Sequence, residues 1–112
     1  MRYFIPDIPP SNNRFIGRNA RWEYQDIKKQ WADMIALFCR PKPPEPLKKA
    51  TVKIKYYFTD RRRRDPDNYS GKMILDGLTK CGIIADDSFF VIDLQLSAEF
   101  GADKAQTEII IE

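Results

Sequence analysis

The order and spacing of the apolar segments predict a single small α+β domain with elements in the order β-α-β-α-β-β. Two segments carry apolar residues at helical spacing, and four others have the composition or the alternation of strands. The chain has 112 residues, which is the length of one domain with one core, so residues 1–112 are treated as one unit. We expect a mixed or antiparallel sheet with the helices packed on it.

The first half of the chain predicts a strand, a helix and a connector. Residues 2–5 (RYFI) are expected to form a short strand that the following prolines end. Apolar residues recur at helical spacing from Trp22 to Phe38, which predicts a helix. Segment 41–46 (PKPPEP) cannot continue that helix and is expected to be extended.

The second half begins with a strand and a helix. Residues 50–59 alternate between apolar and polar positions, which predicts a strand with one buried face. A second helix is expected over about 70–81, where Gly82 would occupy the C′ position that ends it.

Two strands are predicted to complete the sheet. Apolar residues alternate again over 90–100, and 105–111 (AQTEIII) has the composition of a strand. Residues 101–104 (GADK) lie between them and are expected to form a hairpin turn, which would pair the last two strands antiparallel.

The composition excludes several kinds of catalytic site. The chain contains no histidine, which rules out Ser-His-Asp and Cys-His arrangements and imidazole-bound zinc. Two cysteines, Cys39 and Cys81, cannot complete a four-cysteine zinc site, and we expect both to be small buried residues. Any hydrolytic chemistry would therefore depend on carboxylates, lysines and a hard cation.

The distribution of charge is more informative than its total. A formal net charge of +3 does not by itself indicate nucleic acid, but Arg61–Arg64 form a local source of positive potential. No apolar run approaches the ~20 residues that a membrane span needs, and the amino terminus lacks the apolar core of a signal peptide. We expect a cytoplasmic protein without membrane association.

Two carboxylates follow the arginine run directly. Asp65 and Asp67 flank Pro66, and side chains at i and i+2 of an extended chain point the same way. Pro66 disfavours helical backbone at Asp65, which would stiffen this arrangement. Like charges so close repel unless a cation lies between them. The pair therefore predicts a site for Mg²⁺, with Mn²⁺ as a possible substitute.

A second acidic pair, Asp86 and Asp87, lies between the second helix and the long strand. Asp65 and Asp67 follow the preceding strand, so the two pairs would meet if these strands are neighbours. Adjacent residues of an extended chain diverge, and we expect only one of Asp86 and Asp87 to bind the metal. The sequence thus predicts a site of three carboxylates.

Lys72 is expected in the first turn of the second helix, where the helix dipole disfavours a cation. Its partners would be the upstream carboxylates or a substrate phosphate, and it could stabilise the transition state or protonate the leaving oxygen. Asp76 lies four residues later, and an ion pair on the helix surface accounts for it.

Each motif alone has an ordinary explanation. A D-x-D segment is often a solvated turn, Asp67 or Asn68 could cap the second helix, and an arginine run can be a solvated edge. Together the motifs favour metal-assisted hydrolysis of a phosphodiester. Three alternatives stay open: a nuclease for flaps, other branched DNA or RNA; a nucleic-acid-binding protein without catalysis; and an interaction protein whose arginines bind an acidic partner.

The segment RRRRDPDNYSGKMILDGLTKCGIIADDS resembles the core of the RusA-type Holliday junction resolvases, endodeoxyribonucleases of bacteria and their phages. The amino-terminal IPPSNNRF resembles the proline–serine–asparagine opening of that family. The similarity spans nearly the whole chain, and the joint pattern of D-x-D-N, a lysine, L-D-G-L-T and G-I-x-x-D-D carries it.

The resemblance implies a RusA-like, Mg²⁺-dependent homodimer that nicks two strands of a four-way DNA junction symmetrically, in recombination and repair. It implies that Asp65, Asp67 and Asp87 are metal-binding catalytic residues, with Asp86 as the alternative ligand, and that Lys72 is the essential lysine. The family has two residues between its asparagine and that lysine, whereas three stand here. The residues expected to contact DNA are Arg61, Arg62, Arg63, Arg64, Arg14 and Asn68.

Overall fold

Two helices and four strands follow one another in the predicted order within residues 1–15, 17 and 20–112, which are the residues described by the computed structural model. The elements are β1 (Arg2–Ile5), α1 (Ala20–Phe38), β2 (Ala50–Tyr57), α2 (Lys72–Lys80), β3 (Ile92–Glu99) and β4 (Gln106–Ile111). Two short 3₁₀ turns lie at Asn12–Phe15 and Pro66–Tyr69. The α+β class and the type of every predicted element are confirmed.

The strands form one mixed sheet in the order β1-β4-β2-β3. Strand β4 is antiparallel to both β1 and β2, whereas β2 and β3 are parallel. The predicted hairpin between β3 and β4 is therefore wrong, because β4 pairs on the far side of β2. The reason lies in burial: most of β4 is covered on both faces, which suits an interior position, while β3 is largely exposed and suits an edge.

Both helices pack on one face of the sheet. Val52 and Ile54 of β2 and Ile109 of β4 are fully buried beneath them. Close packing of α1 on α2 depends on Gly77, since a Cβ there would stand 2.9 Å from Cγ1 of Ile35. The other face of the sheet is polar and carries three ion pairs, Arg2–Glu108, Lys53–Glu112 and Lys55–Glu99. Neither helix of the described chain has the length and hydrophobicity of a membrane span.

Helix α2 ends where the sequence predicts. Gly82 has φ +84°, and the N–H groups of Gly82 and Ile83 donate to the carbonyls of Thr79 and Leu78. This pair of bonds is a Schellman motif, in which glycine at C′ adopts a left-handed conformation that other residues rarely tolerate. Of the two cysteines, Cys39 is buried as expected, and its burial raises the pKa of the thiol to about 12, while Cys81 is only half-buried.

The parallel pairing of β2 and β3 determines where the loops around α2 lie. Two adjacent parallel strands require the chain to return to its starting end, and α2 makes that return. Gly71, just before α2, lies against Ile54 and Tyr56 of β2 and Leu96 of β3. After α2, the carbonyl of Ile83 accepts a hydrogen bond from the N–H of Leu47, which precedes β2. The segments before and after α2 therefore lie at opposite ends of the sheet.

Candidate active site

The loop between β2 and α2 rests on a group of aromatic residues at the carboxyl end of β2. The ring of Phe58 stacks on Phe100 at 5.5 Å and meets Tyr69 edge-on at 5.2 Å. The hydroxyl of Tyr56 donates to the carbonyl of Tyr69 at 2.9 Å. These contacts hold Phe58 and Tyr69, at the two ends of the loop, in fixed positions. The charged residues between them are positioned by this aromatic group.

Asp65 and Asp67 occupy different kinds of backbone. Asp65 is extended, with φ −103° and ψ 141°, as predicted, but Pro66 begins a 3₁₀ turn that contains Asp67. Proline favours the first position of a helical turn, and a 3₁₀ turn rotates about 120° per residue, so the alternation of an extended chain does not apply to this pair. The extended backbone expected through Asp67 is therefore wrong, while that at Asp65 is confirmed. Asp65 lines a groove with Arg63 and Asn68, whereas Asp67 is exposed.

Asn12, in the amino-terminal segment, forms hydrogen bonds to the 3₁₀ turn and to the residue that follows it. The side-chain amide of Asn12 donates to the carbonyl of Asp67 at 2.9 Å and to Oγ of Ser70 at 3.4 Å. Asn12 belongs to the IPPSNNRF segment, but sequence reasoning assigned it no role, because its partners lie more than fifty residues away. Asn68, expected to contact DNA, is half-buried, and its N–H donates to the carbonyl of Asp65 at 3.0 Å.

The four arginines have unequal environments. Arg61, Arg62 and Arg63 are exposed, and Nε of Arg63 lies 3.2 Å from Oδ1 of Asp65. The side chain of Arg64 is only 14% exposed, and its guanidinium lies 4.1 Å from the centre of the Phe58 ring. It also donates to Oδ1 of Asp60 at 2.8 Å. Arg64 therefore supports the loop, while the other three face outward.

The effect of Arg64 on the pKa of Asp60 can be measured by NMR titration. The hydrogen bond from Arg64 and that from the N–H of Arg62 hold the pKa of the Asp60 carboxyl at about 2. Because the pKa of Asp60 in the folded protein is below its usual value, the pair stabilises the fold at any pH above the usual aspartate pKa. That stabilisation is lost as the pH falls through about 2. In Arg64→Gln, the Asp60 pKa should return towards its usual value. Arg63→Gln is the control, because Arg63 pairs with Asp65. An unchanged Asp60 titration in Arg64→Gln would contradict this assignment.

Lys72 and Arg14, the other two basic residues predicted to act at the site, each form an ion pair with a carboxylate. Lys72 begins α2, as expected, and its Nζ lies 3.7 Å from Oδ2 of Asp76, which confirms the predicted ion pair. Asp76 also pairs with Lys28 at 3.5 Å. Nε of Arg14 lies 2.6 Å from Oε1 of Glu23. The Lys72 side chain is 62% exposed and screened by water, so this pairing leaves it available to a substrate.

Asp86 and Asp87 lie at the other end of the sheet. They line a cleft formed by α1 and the carboxyl-terminal part of α2, together with Lys28 and Lys80. Helix α2 has nine residues and is therefore about 13 Å long; Asp65 precedes its amino-terminal end, whereas Asp86 and Asp87 follow its carboxyl-terminal end. The strands are neighbours, as the prediction required, but they are parallel, so their loops do not meet. Among the described residues, no three carboxylates or cysteines come close enough to hold one metal ion.

Comparison with known proteins identifies a family that spans nearly the whole chain. A family model described as Endodeoxyribonuclease RusA matches residues 7–112, which include both acidic pairs, Lys72 and the amino-terminal asparagines. No match was found among curated proteins. The family model covers nearly the full chain and agrees with the resemblance drawn from the motifs. The chain therefore belongs to the RusA family of endodeoxyribonucleases.

Proposed function

We propose that this protein is a Mg²⁺-dependent endodeoxyribonuclease that resolves four-way DNA junctions by paired symmetric nicks, as a homodimer acting in recombination and repair. Family membership supports DNA cleavage. The observation that carries the proposal is the groove in which Asp65 stands beside Arg62 and Arg63. The arginines there can bind phosphates next to a carboxylate that can bind a metal.

The acidic residues on the loop have the chemistry that Mg²⁺ requires. This ion prefers carboxylate and water oxygens, and it is often held by only one or two carboxylates together with substrate phosphates. Asp65 and Asp67 are the proposed ligands, and the exposed carboxylate of Asp67 is accessible to an ion. Bound Mg²⁺ would activate water and neutralise charge on the phosphodiester.

The cationic residues have separate proposed roles. Arg61, Arg62 and Arg63 would bind phosphates of the DNA backbone, and Arg64 would hold the loop that carries them. Lys72 would leave Asp76 to stabilise the transition state or to donate a proton to the leaving 3′ oxygen. Asn68, which lines the same groove, and Arg14 would also contribute to DNA binding.

The third carboxylate is proposed to come from a second copy of the chain. Within one protomer, Asp87 lies at the far end of the sheet from Asp65 and Asp67. A two-fold axis perpendicular to the strands exchanges the ends of the sheet, and so brings Asp87 of one copy towards Asp65 of the other. Asp86 is the alternative ligand from the same loop. Two such sites, one for each strand, would account for paired nicks.

Cleavage of defined DNA substrates tests the proposal. The protein is incubated with a labelled four-way junction, a flap, a linear duplex and an RNA duplex, each with Mg²⁺, with Mn²⁺ or with EDTA. We expect paired, symmetric nicks on the junction with either metal and none in EDTA. Equal cleavage of the flap or the RNA would point to a different nuclease. Binding without cleavage under every metal condition would overturn the enzymatic proposal.

A further inference from the structure

Asn12 links the amino-terminal segment to the part of the loop that carries Asp67. Its side-chain amide nitrogen donates to the carbonyl of Asp67 at 2.9 Å and to the hydroxyl of Ser70 at 3.4 Å, across 55 and 58 residues of sequence. Asp67 is a proposed metal ligand, and Ser70 lies two residues before Lys72. One amide group therefore contacts the short segment that joins the proposed ligand to the proposed proton donor.

The 3₁₀ turn Pro66–Tyr69 is held from two sides. The last carbonyl groups of a helical turn have no partner within it, so they need donors from elsewhere. The carbonyl of Tyr69 accepts a hydrogen bond from the hydroxyl of Tyr56, which belongs to the core. The carbonyl of Asp67 accepts one from Asn12, on the exposed side. Asn12 thus holds the residue that carries the proposed ligand.

The chain after this turn is positioned by packing. Gly71 has φ +79°, and a Cβ there would lie 2.7 Å from Cδ1 of Ile54 in β2. Glycine is the residue that fits both this left-handed conformation and so close an approach, so the start of α2 is fixed against the sheet. Asp67, in contrast, is exposed. Its position depends more on hydrogen bonds to its backbone than on packing of its side chain.

The segment that presents Asn12 is itself rigid. Pro9 and Pro10 fix two φ angles shortly before it, and Pro9 is buried. Further upstream, the hydroxyl of the fully buried Thr107 in β4 donates to the carbonyl of Asp7 at 2.7 Å. A donor on a rigid segment loses little conformational entropy when it forms its bond. The amide of Asn12 is therefore able to fix the turn, rather than merely follow it.

We infer that Asn12 is a positioning residue of the nuclease site: its amide fixes the backbone of Asp67, and thereby the placement of that carboxylate relative to Lys72. The inference rests on the proposed function, because it takes Asp67 as a metal ligand. Mg²⁺ demands near-octahedral geometry with oxygen distances of about 2.0–2.1 Å, so a small displacement of one ligand weakens binding of the ion and slows the reaction. Asn12 acts through Asp67 and has no contact of its own with the reacting atoms.

Asn12→Leu tests the inference, since leucine has nearly the size of asparagine but no donor. The rate of single-turnover junction cleavage should fall about tenfold, as when other groups that orient a metal ligand are lost, while the Kd for the junction is unchanged. Isothermal titration should show that Mn²⁺ binds more weakly by a similar factor. Asn12→Gln, which keeps the amide, should recover part of the lost rate. Gln30→Leu, at an exposed position on α1, is the matched control and should behave as the wild type.

Backbone dynamics provide a readout that needs neither DNA nor metal. NMR relaxation of the metal-free Asn12→Leu protein should show larger amplitudes of fast motion over residues 66–70 and unchanged motion in α2. Circular dichroism checks that the variant folds, and Asn12→Ala takes its place if it does not. Wild-type dynamics of the turn in the folded variant would overturn the inference.

Two further outcomes would also overturn the inference. One is a normal cleavage rate and normal Mn²⁺ affinity in Asn12→Leu. The other is a loss of junction binding with normal Mn²⁺ affinity, which would make Asn12 a DNA contact instead. If the wild type binds Mn²⁺ but cleaves no junction, and Asn12→Leu binds the ion more weakly, the positioning role is supported and only the proposed function fails.

Discussion

Replacing Asp65 by asparagine is expected to lower the rate of strand cleavage by about a thousandfold, while junction binding is unchanged or tighter. A metal ion stabilises transition-state charge by several kcal/mol, and a loss of about 4 kcal/mol corresponds to this factor. Asparagine has the size of aspartate, and its amide oxygen can still accept the hydrogen bond from Arg63 at this position. Binding should not weaken, because the substitution removes a negative charge beside the DNA phosphates. Single-turnover cleavage and gel-shift titration of the same labelled junction measure the two effects.

Asp67→Asn should behave in the same way, since Asp67 is the other proposed ligand on this loop. Asp33→Asn, at an exposed position on α1, is the control and should cleave at the wild-type rate. Isothermal titration with Mn²⁺ provides a readout that does not depend on activity, and metal affinity should fall in both loop variants. If either Asp65→Asn or Asp67→Asn cleaves at the normal rate, the assignment of that residue as a metal ligand is wrong.

Mixing two inactive variants is expected to restore cleavage. Asp65→Asn and Asp87→Asn should each be inactive as homodimers, because each lacks one ligand in both sites. In the proposed heterodimer, the intact Asp65 of one copy would meet the intact Asp87 of the other, so that one site would be complete. Random assembly makes about half of the dimers mixed, which gives roughly a quarter of the wild-type number of sites. The products should be single nicks rather than paired ones. Co-expression with two different affinity tags isolates the heterodimer for this assay.

A mixture of Asp65→Asn with Asp67→Asn is the matched control. Both residues belong to the same loop, so every site in that heterodimer lacks one ligand and the mixture should stay inactive. If Asp65 and Asp87 instead served one protomer, the first mixture would be inactive as well. Failure of the first mixture, with heterodimers present, would therefore refute the composite site while leaving the loop carboxylates as candidate ligands.

Local sequence patterns predicted the features that depend on residues close together in the chain: the helices and strands, the end of α2 and one ion pair. The alternation over 50–59 and the helical spacing over 22–38 reflect which face of each element is buried, and both elements form where expected. Gly82 ends α2 because the left-handed conformation at that position favours glycine. The ion pair of Lys72 with Asp76 follows from a spacing of one helical turn. The motif pattern was sufficient to identify the family, because spacing within a motif is also a local property.

Long-range packing decided the order of the strands and the backbone conformation after Pro66, which local patterns did not predict. Ile109 and Ile111 are buried, and β4 pairs with β2 in the interior of the sheet. The short GADK segment therefore does not close a hairpin between β3 and β4. Pro66 could have joined two aspartates in extended backbone, but it begins a turn that contains Asp67 and that Asn12, near the amino terminus, holds by a hydrogen bond.

The sequence by itself determined the helices and strands and the family, and it supplied the candidate residues for binding metal and phosphate. Only the tertiary structure decided how those residues are grouped. Because β2 and β3 run parallel, the Asp65 loop and the Asp87 loop lie at opposite ends of one sheet. Strand direction depends on which surfaces are buried together across the whole domain, and that balance of free energies is not encoded in the spacing of any single motif.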